Sequence, residues 1–226
     1  MSKFKATDEA IKYLQNGNKK MQSKSYKAAI EDYSHSINIV PLNFSAYYNR
    51  GVANIKLENY KNALSDFQIA KEINPSNSNS YLHSAILKIK SNKYLDAISD
   101  FNELIKLKPQ DSFLYFNRGQ CKTMLNDYKN AIKDFDMAIT IDPKNANSYN
   151  KRGEAKRALN NHQSALEDFT TAIEINPKHA IAYRNLGNIK FTLFRLDHGF
   201  SDWEIASNLG DKESTQLLER YCLEKF

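Results

Sequence analysis

Several things are missing from this sequence of 226 residues, and each absence excludes something. There are two cysteines, Cys121 and Cys222, about 100 residues apart. They form neither a disulfide framework nor a metal-ligand spacing, and they suit a reducing compartment. No run approaches the roughly 18 consecutive apolar residues of a membrane-spanning helix. Mean hydropathy is −0.64. The start, Met1-Ser2-Lys3-Phe4-Lys5-Ala6-Thr7-Asp8, has no apolar core of a signal peptide, so a cytoplasmic location is the expectation. The motifs HExxH, GxSxG, GxGxxG and the Walker A loop are all absent. Sustained apolar–polar alternation, the mark of a strand, is absent too.

Proline and glycine are few, five and seven, and their placement carries the fold. Pro41, Pro75, Pro109, Pro143 and Pro177 follow one another at intervals of 34 residues. Gly17, Gly51, Gly119, Gly153 and Gly187 share a second phase of the same period, with Ala85 in the remaining slot. Taking Ala10 as position 1 gives six gapless units: 10–43, 44–77, 78–111, 112–145, 146–179 and 180–213. Residues 1–9 precede them and 214–226 follow. Position 4 is Tyr in all six units, and position 23 is Asp in all six, from Asp32 to Asp202. Position 20 is Ala in five units and Gly199 in the sixth. Position 24 is Tyr33, then four phenylalanines, then Trp203.

Each unit reads as two helices. Ala53-Leu57-Tyr60 and Cys121-Leu125-Tyr128 form i, i+4, i+7 stripes on the first, and positions 20, 24 and 27 form another on the second. Glycine costs about 1 kcal/mol inside a helix relative to Ala, so its recurrence at position 8 implies a close approach there. Proline at position 32 stops the second helix. In unit 6, Asn208-Leu209-Gly210-Asp211 predicts a stop and restart, with a capping helix from Lys212 to Lys225. Leu217, Leu218 and Tyr221 should face unit 6, with Glu213, Glu219, Arg220 and Glu224 in solvent.

Tyr47-Tyr48-Asn49-Arg50-Gly51 and Asn62-Ala63-Leu64-Ser65-Asp66-Phe67, with Asn117-Arg118-Gly119 and Asn150-Lys151-Arg152-Gly153, resemble the tetratricopeptide repeat. The resemblance covers about nine-tenths of the chain. It implies an all-α, right-handed superhelical solenoid of helix-turn-helix repeats whose concave face binds peptides or partner proteins. Position 11 departs from the family: it is Lys in five units and Asn54 in unit 2, where an aromatic is usual. Lysine stems can cover apolar surface while the ammonium stays wet.

No convergent catalytic set emerges. His35, His83, His162, His179 and His198 fall on five different repeat positions. The position-23 aspartates occur singly, one per unit. Arg50, Arg118 and Arg152 at position 7 are their natural ion partners. Cys121 takes a core position filled elsewhere by Ala, Leu or Ile. A non-enzymatic scaffold without metal or cofactor is the expectation.

With core positions subtracted, positions 2, 5, 6, 9, 12 and 13 of the first helix remain, and the resemblance places them in the groove. In units 2 to 4 they include Tyr48, Val52, Ile55, Leu82, Ile86, Ile89, Phe113 and Phe116, with Asn49, His83, Asn117 and Gln120 among them. Units 5 and 6 supply Lys151, Arg157, Arg184 and Asn185 there. An apolar middle with a basic end predicts an extended segment or short helix with apolar anchors, lying over units 2 to 4 and leaning toward unit 5. Packing between neighbouring repeats is the alternative for any one of these residues.

The alternatives for the whole chain are a self-assembling module, a co-chaperone and a nucleic-acid binder. The chaperone-tail clamp of the family is poorly matched: Asn18 and Asn49 fit, but Leu14, Asn79 and His83 stand where three cations are required. For nucleic acid, the net charge of +6 and the lysines of position 11 are the best support, and sequence-specific binding is not expected.

Overall fold

The computed structural model of the chain describes residues 3–194 and 199–223; His198, Glu224 and the side chain of Cys222 lie outside the described residues. Thirteen helices and no strand occur among the described residues. They are α1 (Lys3–Gln22), α2 (Tyr26–Ile39), α3 (Phe44–Lys56), α4 (Tyr60–Ile73), α5 (Ser78–Lys90), α6 (Tyr94–Leu107), α7 (Ser112–Met124), α8 (Tyr128–Ile141), α9 (Ala146–Ala158), α10 (His162–Ile175), α11 (Ala180–Phe194), α12 (Phe200–Asn208) and α13 (Lys212–Leu223). The chain divides into two compact units, Met1–Pro109 and Gln110–Phe226. Within each, every helix packs on the next in sequence. First helices also touch: α1 with α3 in one unit, α7 with α9 and α9 with α11 in the other. None of the helices is long and apolar enough to cross a membrane.

Polar residues set the helix boundaries. Position 34 caps the following helix: the side chains of Asn43, Asn77 and Asn145 accept from the backbone N–H groups of Ala46, Ser80 and Ser148 at 3.2, 2.9 and 3.1 Å. At the same position His179 substitutes, its Nδ1 accepting from Ala182 N–H at 3.2 Å. That fixes Nε2 as the protonated nitrogen, which donates to Asn147 Oδ1 at 3.0 Å. Burial lowers the His179 pKa, consistent with a neutral ring.

The turn inside each of the first five hairpins is a Schellman motif. In repeat 2, Asn59 N–H donates to Asn54 C=O at 2.9 Å and Glu58 N–H to Ile55 C=O at 3.0 Å. Position 15 is therefore left-handed, with φ between 56° and 61° at Lys24, Glu58, Asn92, Asn126 and Asn160. Asn tolerates that conformation; Lys and Glu do not favour it. Glu58→Gly should therefore raise stability by about 0.5–1 kcal/mol in urea unfolding, the relief of strain exceeding the added freedom of the unfolded chain. An unchanged or lower midpoint would refute the strain.

The core is a ring set on a glycine. A Cβ added at Gly51, Gly119 or Gly153 would come within 2.7–2.9 Å of the Phe67, Phe135 or Phe169 ring. The close approach at position 8 is thus between backbone and ring, and the rings are fully buried. In repeat 6 the larger Trp203 lies on Gly187, and a Cβ at Gly199 would lie 2.5 Å from the Gly187 carbonyl oxygen. The exchange of Ala for Gly at position 20 lets the two backbones close where the indole enlarges the hairpin.

Position 23 forms a buried ionic layer, and here the structure corrects the sequence reading. The position-11 lysines end on carboxylates of the chain and not free in water. Lys20, Lys88, Lys122, Lys156 and Lys190 reach Asp32, Asp100, Asp134, Asp168 and Asp202 at 2.6–2.8 Å. Arg50, Arg118 and Arg152 meet the aspartate of their own hairpin at 2.6–2.7 Å. Repeat 3 has Ser84 at position 7, and the second cation comes from the preceding repeat, with Lys71 at 2.8 Å from Asp100. The lysine row is thus turned onto the chain's own carboxylates and offers no basic track for a phosphate backbone.

Repeat 6 has Leu186 at position 7, so Asp202 keeps Lys190 alone. Burial raises the Asp202 pKa above its ordinary value against the pull of Lys190. A raised carboxylate pKa destabilises the fold above that pKa, and the penalty disappears as pH falls toward the unfolded value. Asp202→Asn should therefore stabilise the protein at pH 7 and make no difference near pH 3, as thermal unfolding at the two values would show. A loss of stability at pH 7 would contradict this.

Candidate functional site

The proposed contact residues fall into both units. In the first, Tyr48, Val52 and Ile55 pack on a cluster of Ala63, Phe67 and Leu87. Tyr48 meets Phe67 edge-on with ring centroids 5.8 Å apart, and His83 stacks on Phe67 at 5.1 Å. His83 Nε2 and Tyr48 Oη are 3.2 Å apart. Burial lowers the His83 pKa and raises that of Tyr48, so both are neutral at pH 7. This group is largely core packing, and Leu82 is half-buried. Ile86 is different: it is 47% exposed on the same helical face.

Asn49 donates from Nδ2 to Asn18 Oδ1 at 2.8 Å, and Tyr33 Oη donates to the same oxygen at 2.9 Å. Beside them lies a small cleft of about 130 Å³ lined by Asn18, Met21, Tyr33, Asn49 and Val52. The same arrangement ends the chain's other unit, where Trp203 Nε1 donates to Asn188 Oδ1 at 3.0 Å. Asn occupies position 9 only in the two repeats whose position 24 is Tyr or Trp. That pairing was readable in the sequence and marks Asn18 and Asn188 as acceptors for core rings.

In the second unit, Phe113 is 50% exposed. Phe116 is half-buried, 6.0 Å from Phe135, and packs on Ala131, Phe135 and Ala155. Asn117 turns back on its own helix, donating to the Phe113 carbonyl at 2.7 Å. Gln120 is half-buried on the same face. The expected basic end is largely neutralised. Lys151 pairs with Glu154 at 2.8 Å, and Arg184 with Asp211 and Glu213 at 2.8 and 2.9 Å. Asn185 is only 4% exposed and donates to Asn150 and Glu154 at 3.0 and 3.1 Å. Asn185 is therefore an interior residue, Arg184 a clamp on the start of α13, and Arg157 the exposed cation of the group.

Tyr221 of α13 stacks on Trp203 at 5.7 Å and lies 5.1 Å from Phe191. Between α11 and α13 a cleft of about 440 Å³ is lined by Arg184, Asn188, Glu213, Gln216, Leu217 and Arg220. No sequence signal pointed to it, because its walls come from the last repeat and the cap. Cys121 is buried, and burial pushes its thiol up to about 11, far from a reactive thiolate. Among the described residues no group of three His, Cys, Asp or Glu side chains could hold a metal ion.

Hairpins of this length, with a ring on a glycine and a neighbour-on-neighbour core, define a helical repeat protein. The tetratricopeptide repeat pattern matches residues 44–77, 112–145 and 146–179, and a second TPR repeat pattern matches 17–57. The chain belongs to the tetratricopeptide repeat family. Proteins of this family are in general non-catalytic interaction scaffolds, and the matches indicate no enzyme family. No curated protein matches the chain by sequence. Among solved structures it is similar to YrrB, described as a TPR protein with an unusual peptide-binding site. The TM-score is 0.70 at 23% identity, over 80% of this chain and 96% of that one. A MamA structure gives 0.69 at 19% identity, over 76% and 94%. Yeast Tom70 gives 0.64 at 23% identity, over 87% of this chain and 43% of that one. At these identities the likeness is one of fold.

Proposed function

We propose that the first-helix faces bind an extended segment or short helix of a partner protein, each unit offering its own face. The exposed apolar side chains set among amides carry this reading: Ile86 in the first unit, and Phe113 in the second beside Asn117 and Gln120. An apolar side chain left half in water on a polar face is a natural anchor point. The amides of Asn49 and Asn117 each spend one N–H within the chain, and the second N–H and the carbonyl oxygen are suited to a main chain. Because Lys151 and Arg184 already have carboxylate partners, apolar anchors rather than an acidic end select the ligand. Peptide display against the intact chain, followed by calorimetry on Ile86→Ala and Phe113→Ala, tests the reading. At least one variant should bind the selected peptide about tenfold more weakly, with stability changed by less than about 0.5 kcal/mol. Unaltered binding in both would move the site off these faces.

A further inference from the structure

The ionic layer repeats with one gap, in repeat 2. In the five hairpins with lysine at position 11, the ammonium forms an ion pair with Oδ2 of the position-23 aspartate at 2.6–2.8 Å. In two of them it also donates to the position-19 carbonyl, Lys20 to Ala28 at 3.5 Å and Lys88 to Asp96 at 3.2 Å. Repeat 2 has Asn54 instead. The Arg50 guanidinium holds Asp66 Oδ1 at 2.7 Å, as the arginine does in repeats 4 and 5. Oδ2 accepts from Arg50 Nε and from Asn54 Nδ2, each at 3.2 Å, with a neutral amide where the other repeats have an ammonium. Asp66 is 3% exposed, so its carboxylate is buried with one cation, Arg50, and no lysine.

An open cleft of about 300 Å³ lies at this place, lined by Asn54, Asn62, Asp66, Arg50, Ser34 and Ile30 among others. Asn62 is the position-19 residue. The cleft thus brings together the two residues, 19 and 23, that seat the ammonium elsewhere. Asparagine is too short to fill the volume a lysine occupies. The local charge, Arg50 against Asp66, is zero, as it is for the single Lys–Asp pairs of repeats 1 and 6, whereas repeats 3 and 4 carry two cations against one aspartate. One more cation would give repeat 2 the same balance.

We propose that this cleft is a seat for a primary ammonium group supplied from outside the chain, a lysine side chain of a partner or a free polyamine, in the place the chain's own lysine takes in the other repeats. The site lies apart from the exposed Ile86 and Phe113 anchors and does not rest on their assignment. Backbone amide resonances of the full-length protein should report it. Nα-acetyl-lysine methylamide and spermidine should each be titrated, with the Nε-acetylated lysine compound as the uncharged control. Saturable shifts at Asn54, Asn62 and Asp66 are expected with the amines and not with the control. The tighter of the two amines identifies the source. Asn54→Lys, which supplies the ammonium internally, should weaken either amine at least about tenfold. Equal shifts from the acetylated control, no shift at these residues with either amine, or undiminished binding in a folded Asn54→Lys protein would overturn the proposal. The comparison of amine with control uses the unaltered chain, so it decides even if the variant does not fold.

Discussion

Phe135→Ala should lose about 3–5 kcal/mol of stability, the cost of deleting a fully buried ring in a site that cannot collapse. It cannot collapse because the ring rests on the backbone of Gly119, where a Cβ would lie 2.8 Å from Phe135 Cε1. The reciprocal change, Gly119→Ala, sets two effects against each other. Alanine gains about 1 kcal/mol of helix propensity. Overpacking against an enclosed ring costs about 1–3 kcal/mol. We expect the overpacking to win and the variant to be destabilised. Combining Gly119→Ala with Phe135→Leu should cost less than the sum of the single changes, by about 0.5–3 kcal/mol, as for residues in direct contact. Denaturant unfolding of all three variants measures this. Strict additivity would show that ring and glycine do not share a site.

Asp100→Ala should be as costly, about 3–5 kcal/mol, because it strands a buried cation. Asp100 accepts from Lys71 at 2.8 Å, Lys88 at 2.6 Å and Ser84 at 2.6 Å. Lys71 is itself buried, and burial lowers its pKa even with Asp100 beside it. Removing the carboxylate leaves the Lys71 ammonium with neutral partners, Ser84 Oγ at 3.2 Å and the Tyr81 ring with its centroid 5.3 Å away. Adding Lys71→Met to Asp100→Ala should recover a large part of the loss, since the stranded charge is then gone. A double variant no more stable than Asp100→Ala would assign the loss to the carboxylate's other bonds.

The repeat, its helices and its core phase were legible because they rest on spacing. Proline at 32, glycine at 8 and an aromatic at 24 each answer to a local or near-local constraint. Lys71 shows where spacing fails. It sits at position 28, filled by Ile37, Ile105, Ile139 and Ile173 in four other repeats and by Ser207 in the last, and its sense depends on Ser84 replacing arginine one repeat later. The division at residue 109 is invisible in the periodicity, which runs through it unbroken. The sequence does change nearby: Leu104 and Leu114 stand at positions 27 and 3, where the other five repeats have Ala or Ser at 27 and Lys, Ala or Ser at 3.

The surface was less legible than the core. Subtracting core positions leaves a face, but it does not say which side chains remain in water. Phe113 and Phe116 are three residues apart and looked alike, yet one is half exposed and the other lies on Phe135. Charge was read as a sum along the chain, while pairing is decided in space: Arg184 finds Asp211 across 27 residues. The left-handed turn at position 15 was readable from Asn92, Asn126 and Asn160, but Lys24 and Glu58 obscure it.

The pairings that hold a hairpin together nearly all cross its internal turn: glycine 8 with the ring at 24, asparagine 9 with Tyr or Trp at 24, lysine 11 and arginine 7 with aspartate 23. Another set crosses the link between hairpins: the asparagine caps and side-chain bonds such as Asn49–Asn18, Arg152–Asp136 and Asn185–Asn150. A genetic crossover within the internal turn would separate all of the first kind at once. One at the proline link would leave those intact and exchange only the contacts between neighbouring hairpins, the cap and bonds such as Lys71–Asp100 among them. The hairpin beginning at position 1 is therefore the unit that can be duplicated, lost or exchanged intact, and chimaeric arrays cut at that link should fold where those cut at position 15 do not.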